Sequence, residues 1–499
     1  MEIQQSERKT RKFKEKAYYD LHNEPNYYLL PFRFHRINEH KEVIVNEVGD
    51  FIIVPNGVVE KIICKSISKY EDEELYADLI ANFFISEECI PPLIEVLATR
   101  YRTKKSFLDD FTALHIFVIT LRCEHTCHYC QVSRVTQNKE AFDMSISNID
   151  IGIYNMMKSP NPNVTMEFQG GEPLLAFDKI MYAVTKTKQL ASENGKNVTY
   201  VICTNLAVIT VEILLFCKEH EILISSSLDG PKFIHNANRS RPQKNSYELT
   251  LQGIELCREI LGNDKISVLM TTTNLSLDYP QEIVDEYFKV GFRNIFLRPI
   301  SPYSFAVRND AKNRYDTERF LNFYKIALNH ILEYNLRGEF YREEYATIIL
   351  RKILTPFPVG YVDLQSPAGL VNSVIVFNYN GKVYATDEAR MLAEMKDDMF
   401  LLGELSKNTY NELYYGEKIQ EIALAWSNES LTGCSDCAFQ PYCGADPVFH
   451  YATQGDMFGH RPTSTFCQKN MEIIRYLFEL MESDTEIEKI FRNWIIQTN

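Results

Sequence analysis

The sequence lacks several features that would mark it as an exported, membrane-bound or nucleic-acid-binding protein. Its 499 residues contain no apolar run approaching the about 18 residues of a membrane-spanning helix. The first residues, MEIQQSERKTRKFKEK, are charged and have no hydrophobic core, so they do not resemble a secretory signal. Positive charge is not in excess, because the formal net charge is −14. We therefore expect a cytoplasmic protein of ordinary globular composition, with neither a nucleic-acid nor a membrane partner.

Disulfides are also not expected, because the 12 cysteines occur in a chain without an export signal. A C-x3-C-x2-C triplet is formed by Cys123, Cys127 and Cys130. It directly follows the apolar run 115–121. Thiolates select iron–sulfur clusters, zinc or copper(I). Structural zinc takes four closed ligands, so a lone triplet favours a four-iron cluster with one open iron. A zinc loop and incidental cysteines are the alternatives.

From residue 115 onward, apolar strand patterns alternate with helical patterns. Strands are predicted near 115–121, 164–168, 198–203, 222–227, 265–270 and 294–299. Helices are predicted near 146–157, 177–192, 210–219, 246–260, 280–290 and 316–335. The strands show little polar alternation, as expected when both sheet faces are buried. Six strand–helix units in series predict a parallel sheet with right-handed crossovers that forms an open, partial barrel.

Polar or glycine-rich residues follow each predicted strand, where chemistry collects in such folds. The cysteine triplet follows the first strand, and the motif 170–173 (GGEP) follows the second. Its two glycines would let a ligand approach the backbone, and the Glu172 carboxylate could accept hydrogen bonds from an ammonium group. An ordinary turn is the alternative. Asn205 follows the third strand, and the motif 227–230 (SLDG) follows the fourth.

A second cysteine group lies near the end of the chain. It consists of Cys434, Cys437 and Cys443, spaced C-x2-C-x5-C, and of Cys467. Four thiolates allow a fully closed cluster site, with structural zinc on the same sulfurs as the alternative. The other cysteines are predicted to be core thiols: Cys64, Cys89, Cys203, Cys217 and Cys257. The two histidines that flank the ligands of the triplet, His125 and His128, are predicted to be solvated loop residues, with a role in orienting the ligands as the alternative.

The triplet with Tyr129, the GGEP motif and the SLDG motif together resemble the radical SAM enzymes. The resemblance implies that the triplet holds a 4Fe–4S cluster whose open iron chelates S-adenosylmethionine (SAM). Reductive cleavage of SAM then gives a 5′-deoxyadenosyl radical, which removes a hydrogen atom from the substrate. The residues expected around SAM are Gly170, Gly171, Glu172, Asn205, Ser227, Asp229 and Arg239. No catalytic residue is assigned beyond the ligands of the cluster and of SAM.

The second cysteine group is similar to the SPASM domain of peptide maturases. A full SPASM domain holds two auxiliary clusters, but this chain departs from the pattern. Pro447 stands where one further cysteine would be, and no cysteine occurs between residues 257 and 434. We therefore expect one auxiliary 4Fe–4S cluster, bound by Cys434, Cys437, Cys443 and Cys467. The expected cofactors are two 4Fe–4S clusters and SAM.

Five longer phrases resemble the radical SAM maturases of the His-Xaa-Ser repeat system, B component: PFRFHRI, CHYCQVSR, NIFLRPISPYSFA, TDEARMLAE and CGADP. The resemblance implies a ribosomally made precursor substrate with His-Xaa-Ser repeats and a second radical SAM partner protein. It also implies an electron donor such as flavodoxin or ferredoxin. The alternatives are a radical SAM enzyme of sulfatase-maturase type or acting on a small molecule, and a non-catalytic Fe–S or zinc scaffold that binds a peptide.

The expected fold class is α/β, with a partial (β/α)6 TIM-like barrel between a small N-terminal α+β unit and a C-terminal SPASM-like Fe–S domain. The N-terminal unit faintly resembles a peptide-recognition module; a packing extension of the barrel is the alternative. Arg298, Tyr303 and Asp387 are candidates to line the opening for a peptide. The expected divisions are a polar lead-in (1–26), the N-terminal unit with its connector (27–112), the barrel (113–340), the SPASM-like domain (341–475) and a tail (476–499).

Overall fold

The computed structural model describes residues 27–88, 90–130, 138–303, 305–308 and 313–496. The predicted lead-in and Cys89 lie outside these residues. The chain forms two compact units, Met1–Thr99 and Arg100–Asn499. No helix within the described ranges has the length and apolarity needed to cross a bilayer.

The first unit contains short strands followed by helices, in the predicted order. Strands β2, β3 and β4 form an antiparallel sheet in that order, and β1 pairs with β5. Its apolar core includes Tyr27, Ile44, Leu79 and Phe84. The elements are β1 (Tyr28–Leu29), β2 (Phe32–Arg36), β3 (Lys41–Asn46), β4 (Phe51–Pro55), α1 (Val58–Ile63), α2 (Glu73–Ala81) and β5 (Ile85–Ser86), and α3 (Pro91–Lys104) runs into the second unit.

The second unit begins with alternating strands and helices. Its first strands are β6 (Leu114–Thr120), β7 (Asn163–Gly170), β8 (Asn197–Cys203), β9 (Leu223–Ser227), β10 (Ile266–Leu269) and β11 (Asn294–Ile295). Its first helices are α4 (Lys139–Phe142), α5 (Ile146–Met157), α6 (Phe177–Asn194), α7 (Val211–Glu219), α8 (Lys232–Asn238), α9 (Ser246–Leu261), α10 (Pro280–Lys289), α11 (Phe305–Arg308) and α12 (Thr317–Leu336). The six helices predicted from the hydrophobic period are all present, with ends within two residues of those expected.

The remaining elements of the second unit are mostly helical. The strands are β12 (Arg342–Glu343), β13 (Val374–Phe377), β14 (Lys382–Tyr384) and β15 (Leu401–Glu404). The helices are α13 (Glu344–Leu354), α14 (Asp387–Ala393), α15 (Tyr410–Tyr415), α16 (Glu417–Ala423), α17 (Pro447–Gln454), α18 (Thr465–Ser483) and α19 (Thr485–Ile496). The boundary expected at 475/476 falls inside α18, and Phe491 and Trp494 of α19 are buried, so this segment is packed rather than a free tail.

The central sheet of the second unit has eight strands in the order β10-β9-β8-β7-β6-β13-β14-β15. Strands β6 to β10 pair in parallel, and helices connect them along the chain. Six of the seven residues of β6 are buried, which explains its unbroken apolar sequence. The predicted α/β class with a parallel barrel sheet is confirmed. The predicted hairpin β13–β14 also forms, and β13 pairs in parallel with β6.

The sixth predicted strand is shorter than expected. Only Asn294 and Ile295 form a strand, and they pair with β12 rather than with β10. Beyond them, the Thr272 amide donates to the Arg298 carbonyl at 2.9 Å, and an isolated bridge joins Thr272 to Pro299. Proline has no amide hydrogen for a ladder, so the segment after Arg298 cannot continue as a regular strand.

Candidate functional site

The cysteine loop begins where β6 ends and is held at its base by ionic contacts. The Arg122 guanidinium donates to both carboxylate oxygens of Asp143, at 2.7 and 2.8 Å, and to the Leu175 carbonyl at 2.7 Å. The Thr120 hydroxyl donates to the same Asp143 carboxylate at 2.6 Å. Arg122 and Asp143 are both buried, so the pair is only weakly screened by solvent. These contacts fix the direction in which the loop leaves the sheet.

The GGEP motif packs directly on the start of the cysteine loop. The Gly171 amide donates to the Thr120 carbonyl at 2.8 Å, and the Glu172 amide donates to the Arg122 carbonyl at 2.7 Å. A Cβ at Gly170 would lie 1.9 Å from the Thr120 carbonyl oxygen, and one at Gly171 would lie 2.3 Å from the Arg122 carbonyl oxygen. Sequence reasoning attributed these glycines to the approach of a ligand. The close approach seen here is between two protein backbones.

Glu172 is fully buried beneath the loop. Its carboxylate accepts hydrogen bonds from the Thr204 hydroxyl at 2.7 Å, the Asn205 amide at 2.8 Å and the Leu174 amide at 3.0 Å. The pKa of Glu172 is raised to about 8, first by burial and second by the nearby Glu124 carboxylate. Both oxygens of Glu172 are therefore already engaged by protein donors.

Glu124 supplies a second carboxylate beside the first cysteine. A carboxylate oxygen of Glu124, a ring nitrogen of His125 and the Cys123 sulfur all lie within 4.8 Å of one another. Its Oε1 atom contacts His125 Nδ1 at 2.9 Å and accepts from the Asn205 side-chain amide at 2.8 Å. Its Oε2 atom is buried and has no hydrogen-bond partner among the residues that the structure describes. Sequence reasoning missed this residue, because a single charged side chain inside a cysteine loop has no motif of its own.

His125 is buried, contrary to the expectation, whereas His128 is only half-buried. His125 is 2% exposed, and its Nε2 lies 2.8 Å from the Ser246 hydroxyl. The ring of His128 contacts Asn313 at 2.7 Å and Asn238 at 3.2 Å. Partners from distant segments orient both rings, and the sequence spacing of the loop gives no sign of them.

A buried network around Asp229 braces the far side of the cysteine loop. Asp229 accepts from the Tyr129 hydroxyl at 2.7 Å, from the Asn238 amide at 3.2 Å and from Arg239 Nε at 3.2 Å. The Arg239 guanidinium also lies over the Tyr129 ring, 5.5 Å from its centroid. The loop backbone is tied down here as well, because the Thr126 amide donates to the Ser240 carbonyl at 2.8 Å. Asp229 and Arg239 thus hold the tyrosine that precedes the last cysteine.

The polar residues predicted around one pocket do converge on the carboxyl ends of β7, β8 and β9. Asn205 touches both Glu172 and Glu124, as described above. Ser227 is the last residue of β9 and is half-buried. The Cys130 amide donates to the Cys127 carbonyl at 3.3 Å, which folds the end of the triplet into a turn. Burial raises the pKa of the Cys123 thiol, and the neighbouring Glu124 and Cys127 raise it further.

The second cysteine group also comes together. Burial raises the pKa of Cys467 to about 12, with further contributions from the thiols of Cys443, Cys437 and Cys434. These three thiols therefore lie within electrostatic range of Cys467, although Cys434 and Cys467 are 33 residues apart in the sequence. The Cys437 amide donates to the Cys434 carbonyl at 3.0 Å, so the first two cysteines share one turn.

Three basic side chains surround the second cysteine group. Lys352, Arg461 and Lys469 each act to lower the pKa of Cys443, although burial raises it overall. Burial lowers the pKa of Lys352 itself to about 7, and its ammonium donates to the Cys443 carbonyl at 3.0 Å. Basic side chains near four cysteine sulfurs suit an anionic metal–thiolate centre. Both an iron–sulfur cluster and zinc would be such a centre.

The other described cysteines differ in their surroundings. Cys217 and Cys257 are buried, as predicted, and Cys203 is intermediate. Cys64 is exposed, so its prediction as a core thiol is wrong. It ends α1 on the face opposite Val59 and Ile62, which are the buried residues of that short helix.

A cavity of about 1240 Å³ opens in the second unit near the cysteine loop. Arg298 and Tyr303 line it, as expected, whereas Asp387 is not one of its lining residues and pairs with Arg390 at 2.8 Å. Asn313 joins the cavity to the loop, because it lines the cavity and contacts the ring of His128. The lining also includes Asp363, Glu388 and Asp446, which sequence reasoning did not single out.

The donor sets of the two cysteine groups fit iron–sulfur cofactors. The first offers three sulfurs in one loop and an unpartnered carboxylate oxygen on Glu124, which suits a cluster with a cationic ligand beside it. The second offers four cysteine sulfurs, the number that a fully closed cluster site needs.

Comparison with known proteins identifies a family and individual proteins that this chain resembles. Residues 117–287 match the model of the radical SAM superfamily. The chain is 25% identical over 379 residues to a cysteine-type anaerobic sulfatase-maturating enzyme of Clostridium novyi (strain NT), covering 71% of this chain and 94% of that protein.

Two solved structures share its fold. Native anSMEcpe with bound AdoMet aligns with a TM-score of 0.61 and 18% identity, over 76% of this chain and 99% of that one. Streptococcus suis SuiB bound to precursor peptide SuiA aligns with a TM-score of 0.50 and 13% identity, over 89% of this chain and 100% of that one. The match over the barrel, together with the cysteine loop at the end of its first strand, identifies the chain as a member of the radical SAM superfamily of enzymes.

Proposed function

We propose that this enzyme cleaves SAM reductively and uses the resulting radical to modify a ribosomally made precursor peptide or protein. The observation that carries the proposal is the cysteine loop, with three thiols at the rim of the barrel and a buried carboxylate oxygen without a partner beside them. In this proposal Cys123, Cys127 and Cys130 hold the 4Fe–4S cluster. The cluster and SAM supply the electron and the 5′-deoxyadenosyl group for removing a substrate hydrogen atom.

The residues of the pocket would hold SAM in a division of labour. Glu124 would accept a hydrogen bond from the SAM ammonium group through its unpartnered oxygen. Glu172 would fix Asn205 and the start of the GGEP segment, since its oxygens already accept from Thr204 and Asn205. Ser227 is half-buried at the end of β9 and would offer its hydroxyl to the ribose.

The other residues expected around SAM have different roles in this proposal. Arg239 would reach the SAM carboxylate with the guanidinium nitrogens that Asp229 does not engage. Asp229 would act through Tyr129 and Arg239, because both of its oxygens accept from protein donors. Gly170 and Gly171 would keep the pocket floor close to the cysteine loop by packing on residues 120–122.

We further propose that Cys434, Cys437, Cys443 and Cys467 hold one auxiliary 4Fe–4S cluster. Lys352, Arg461 and Lys469 would balance its negative charge. Zinc on the same four sulfurs is the alternative. With two clusters the reconstituted protein would contain about eight irons per chain, and with zinc at the second site about four.

The test is anaerobic reconstitution followed by reduction with dithionite in the presence of SAM. We expect formation of 5′-deoxyadenosine, its loss in Cys127→Ala, and its retention in Cys64→Ala. Cys64 is a matched control because it is exposed and belongs to neither cysteine group. Absence of 5′-deoxyadenosine from wild-type protein that carries its full iron would refute the proposal.

The substrate is proposed to be a precursor with His-Xaa-Ser repeats, on the strength of the five sequence phrases, with a flavodoxin or ferredoxin as electron donor and a second radical SAM protein as partner. A sulfatase-type substrate is the second candidate, favoured by the match along 94% of a sulfatase-maturating enzyme. A synthetic peptide with repeated His-Xaa-Ser triplets and a sulfatase-derived peptide with cysteine or serine at the modified position separate the two. Mass spectrometry of each peptide after SAM turnover shows which one is modified.

A further inference from the structure

The large cavity has an inner wall made of charged side chains from five separate segments. Arg298 follows β11, Asp363 lies in a short 3-10 turn, Glu388 belongs to α14, Asp446 precedes α17, and Lys469 belongs to α18. All five lie within the Arg100–Asn499 unit. The wall therefore forms only in the folded protein.

The formal charges on this wall do not balance, since three carboxylates face two cations. The other charged residues that line the cavity cancel one another in formal charge: Arg314, Arg319, Asp316 and Glu318. The Arg298 guanidinium lies 3.9 Å from Glu388, which is too long for a hydrogen bond. Asp446 uses its Oδ1 atom to cap α17, accepting from the Phe449 amide at 2.9 Å. Asp363 accepts from the Tyr361 hydroxyl at 2.9 Å, which brings no positive charge.

The three carboxylates are half-buried, so water offsets their mutual repulsion only in part. The pKa of Glu388 is raised to about 8, first by burial and then by the neighbouring Asp363 and Asp387, while Arg298 acts to lower it. Burial raises the pKa of Asp446 to about 7, again with a contribution from Asp363. An added positive charge at this wall would relieve the repulsion between these groups.

A second and independent feature points into the same cavity. The Tyr303 hydroxyl has no hydrogen-bond partner within the described ranges, and the residue is 1% exposed while lining the cavity. A buried hydroxyl left without a partner carries a cost that a ligand group can remove.

We propose that this cavity is a specificity pocket that binds a lysine or arginine side chain of the substrate peptide, with Asp363, Glu388 and Asp446 as its recognition carboxylates. The proposal rests on the proposed peptide-modifying function and adds the charge of a substrate residue to it. The Tyr303 hydroxyl provides a further polar contact. Asn313 lines the cavity and contacts His128 of the cysteine loop, so a side chain held here places the adjoining peptide beside the loop.

An acidic side chain is the competing occupant, because Arg298 and Lys469 share the same wall. We favour a cation because both bases already have neighbours of opposite charge. Arg298 lies near Glu388, and Lys469 is within electrostatic range of Asp363 and Asp446. In formal charge the wall has one acidic group more than basic groups, and a bound cation would favour the ionised forms of Glu388 and Asp446, whose pKa values are raised.

The experiment measures binding of four small probes to the anaerobically reconstituted enzyme by ligand-observed NMR. The probes are the N-acetyl N-methylamides of lysine, arginine, norleucine and glutamate. We expect lysine and arginine probes to bind at least about tenfold more tightly than norleucine, which has the same chain length as lysine without its charge. Tighter binding of glutamate, or equal binding of all four probes, would overturn the proposal.

Variants locate the site on the wall. Glu388→Gln and Asp363→Asn should each weaken the lysine probe by about tenfold and leave the norleucine probe unchanged. The control is Glu259→Gln, an exposed glutamate of α9 outside the cavity. If both cavity variants bind the lysine probe as tightly as this control, the proposal fails.

The same samples separate this proposal from the proposed function. All variants should contain the wild-type amount of iron and form 5′-deoxyadenosine from SAM, because none of the changed residues touches the cysteine loop. Wild-type enzyme that binds lysine but forms no 5′-deoxyadenosine contradicts the function and leaves the pocket in place. Enzyme that cleaves SAM but shows no charge preference contradicts the pocket alone.

Discussion

Glu124 carries the most informative single atom of the site. Its Oε2 is buried and has no partner among the described residues, while its Oε1 is held by His125 and Asn205. A buried carboxylate oxygen left without a donor costs free energy that a bound ammonium group would recover. Protein contacts therefore position Oε1, and Oε2 is available to accept a hydrogen bond.

Glu124→Gln is expected to weaken SAM binding about tenfold, because an amide nitrogen would replace the vacant acceptor while the contacts of Oε1 can persist. Equilibrium dialysis of SAM against the reconstituted protein measures this without turnover. The matched control is Glu219→Gln on the exposed surface of α7. Unchanged SAM affinity at full iron content would show that Glu124 does not contact the ammonium group.

Asp229 accepts the hydrogen bonds that hold Tyr129 and Arg239 in place beside the cysteine loop. We expect Asp229→Asn to destabilise the protein by about 3–5 kcal/mol, because Arg239 would remain buried without its carboxylate. Tyr129→Phe removes only the tyrosine hydrogen bond and should cost about 1 kcal/mol. Denaturant unfolding gives both values, and hydrogen exchange over residues 122–130 reports the loosened loop. A loss no larger than that of Tyr129→Phe would mean that Asp229 is not the brace.

At the scale of elements, Glu343 holds three segments together. It caps α13 by accepting from the Ala346 amide at 2.5 Å, and it also accepts from the Leu297 amide at 3.0 Å and the Tyr324 hydroxyl at 2.7 Å. The side chain is fully buried, and burial raises its pKa to about 7. The short sixth strand is thus tied to α12 and α13 through one carboxyl group.

The raised pKa of Glu343 predicts a pH dependence of stability. The folded protein binds this proton more tightly than the unfolded chain, whose pKa is near the ordinary value of 4.5. The contribution of Glu343 to stability is therefore full below pH 4.5 and falls as the pH rises toward about 7. Over that window the loss is roughly 3 kcal/mol.

Urea unfolding of wild type and Glu343→Gln between pH 4.5 and 7.5 tests this. Glutamine cannot titrate, so the difference in unfolding free energy between the two proteins should shift in favour of the variant as the pH rises. Glu339→Gln, on the exposed turn after α12, should show the wild-type slope. Parallel pH profiles for wild type and Glu343→Gln would contradict the prediction.

The helices and most parallel strands could be predicted because their signals are local. Apolar residues at helical spacing fix α5 and α9 to within a residue, and unbroken Val, Ile and Phe fix β6. The sixth strand was overestimated, because the Arg298 amide donates to the Phe296 carbonyl at 2.9 Å instead of to a neighbouring strand, and because its partner β12 lies far along the chain. Pairings and side-chain partners that cross long sequence distances leave no periodic trace.

The site was predictable to the same extent. Cysteine spacing and the GGEP motif located the loop, since both are contiguous in sequence. The partners of His128, the unpartnered oxygen of Glu124 and the acidic wall of Asp363, Glu388 and Asp446 arise from segments up to 185 residues apart. Such groups become a site only when the sheet and helices bring them together.

At the scale of the whole molecule, the sheet explains why the two cysteine groups belong to one compact unit. Strand β6, which delivers the first group, lies between β7 and β13. Strand β13 begins the segment that leads to the second group, so the predicted SPASM-like region shares the barrel sheet at its start. Its division from the barrel at 340/341 and the cytoplasmic location of the protein stay predictions.

Because both cysteine groups and the cavity lie in the Arg100–Asn499 unit, the chemistry is expected to survive removal of the first unit. A chain that begins at Pro91 keeps α3 whole. After reconstitution it should bind about eight irons and form 5′-deoxyadenosine from SAM within about twofold of the full-length rate. Circular dichroism checks that the shortened chain is folded. If the shortened protein is folded and loaded with iron but cannot cleave SAM, the prediction is wrong. Residues 1–90 would then be needed for SAM cleavage itself.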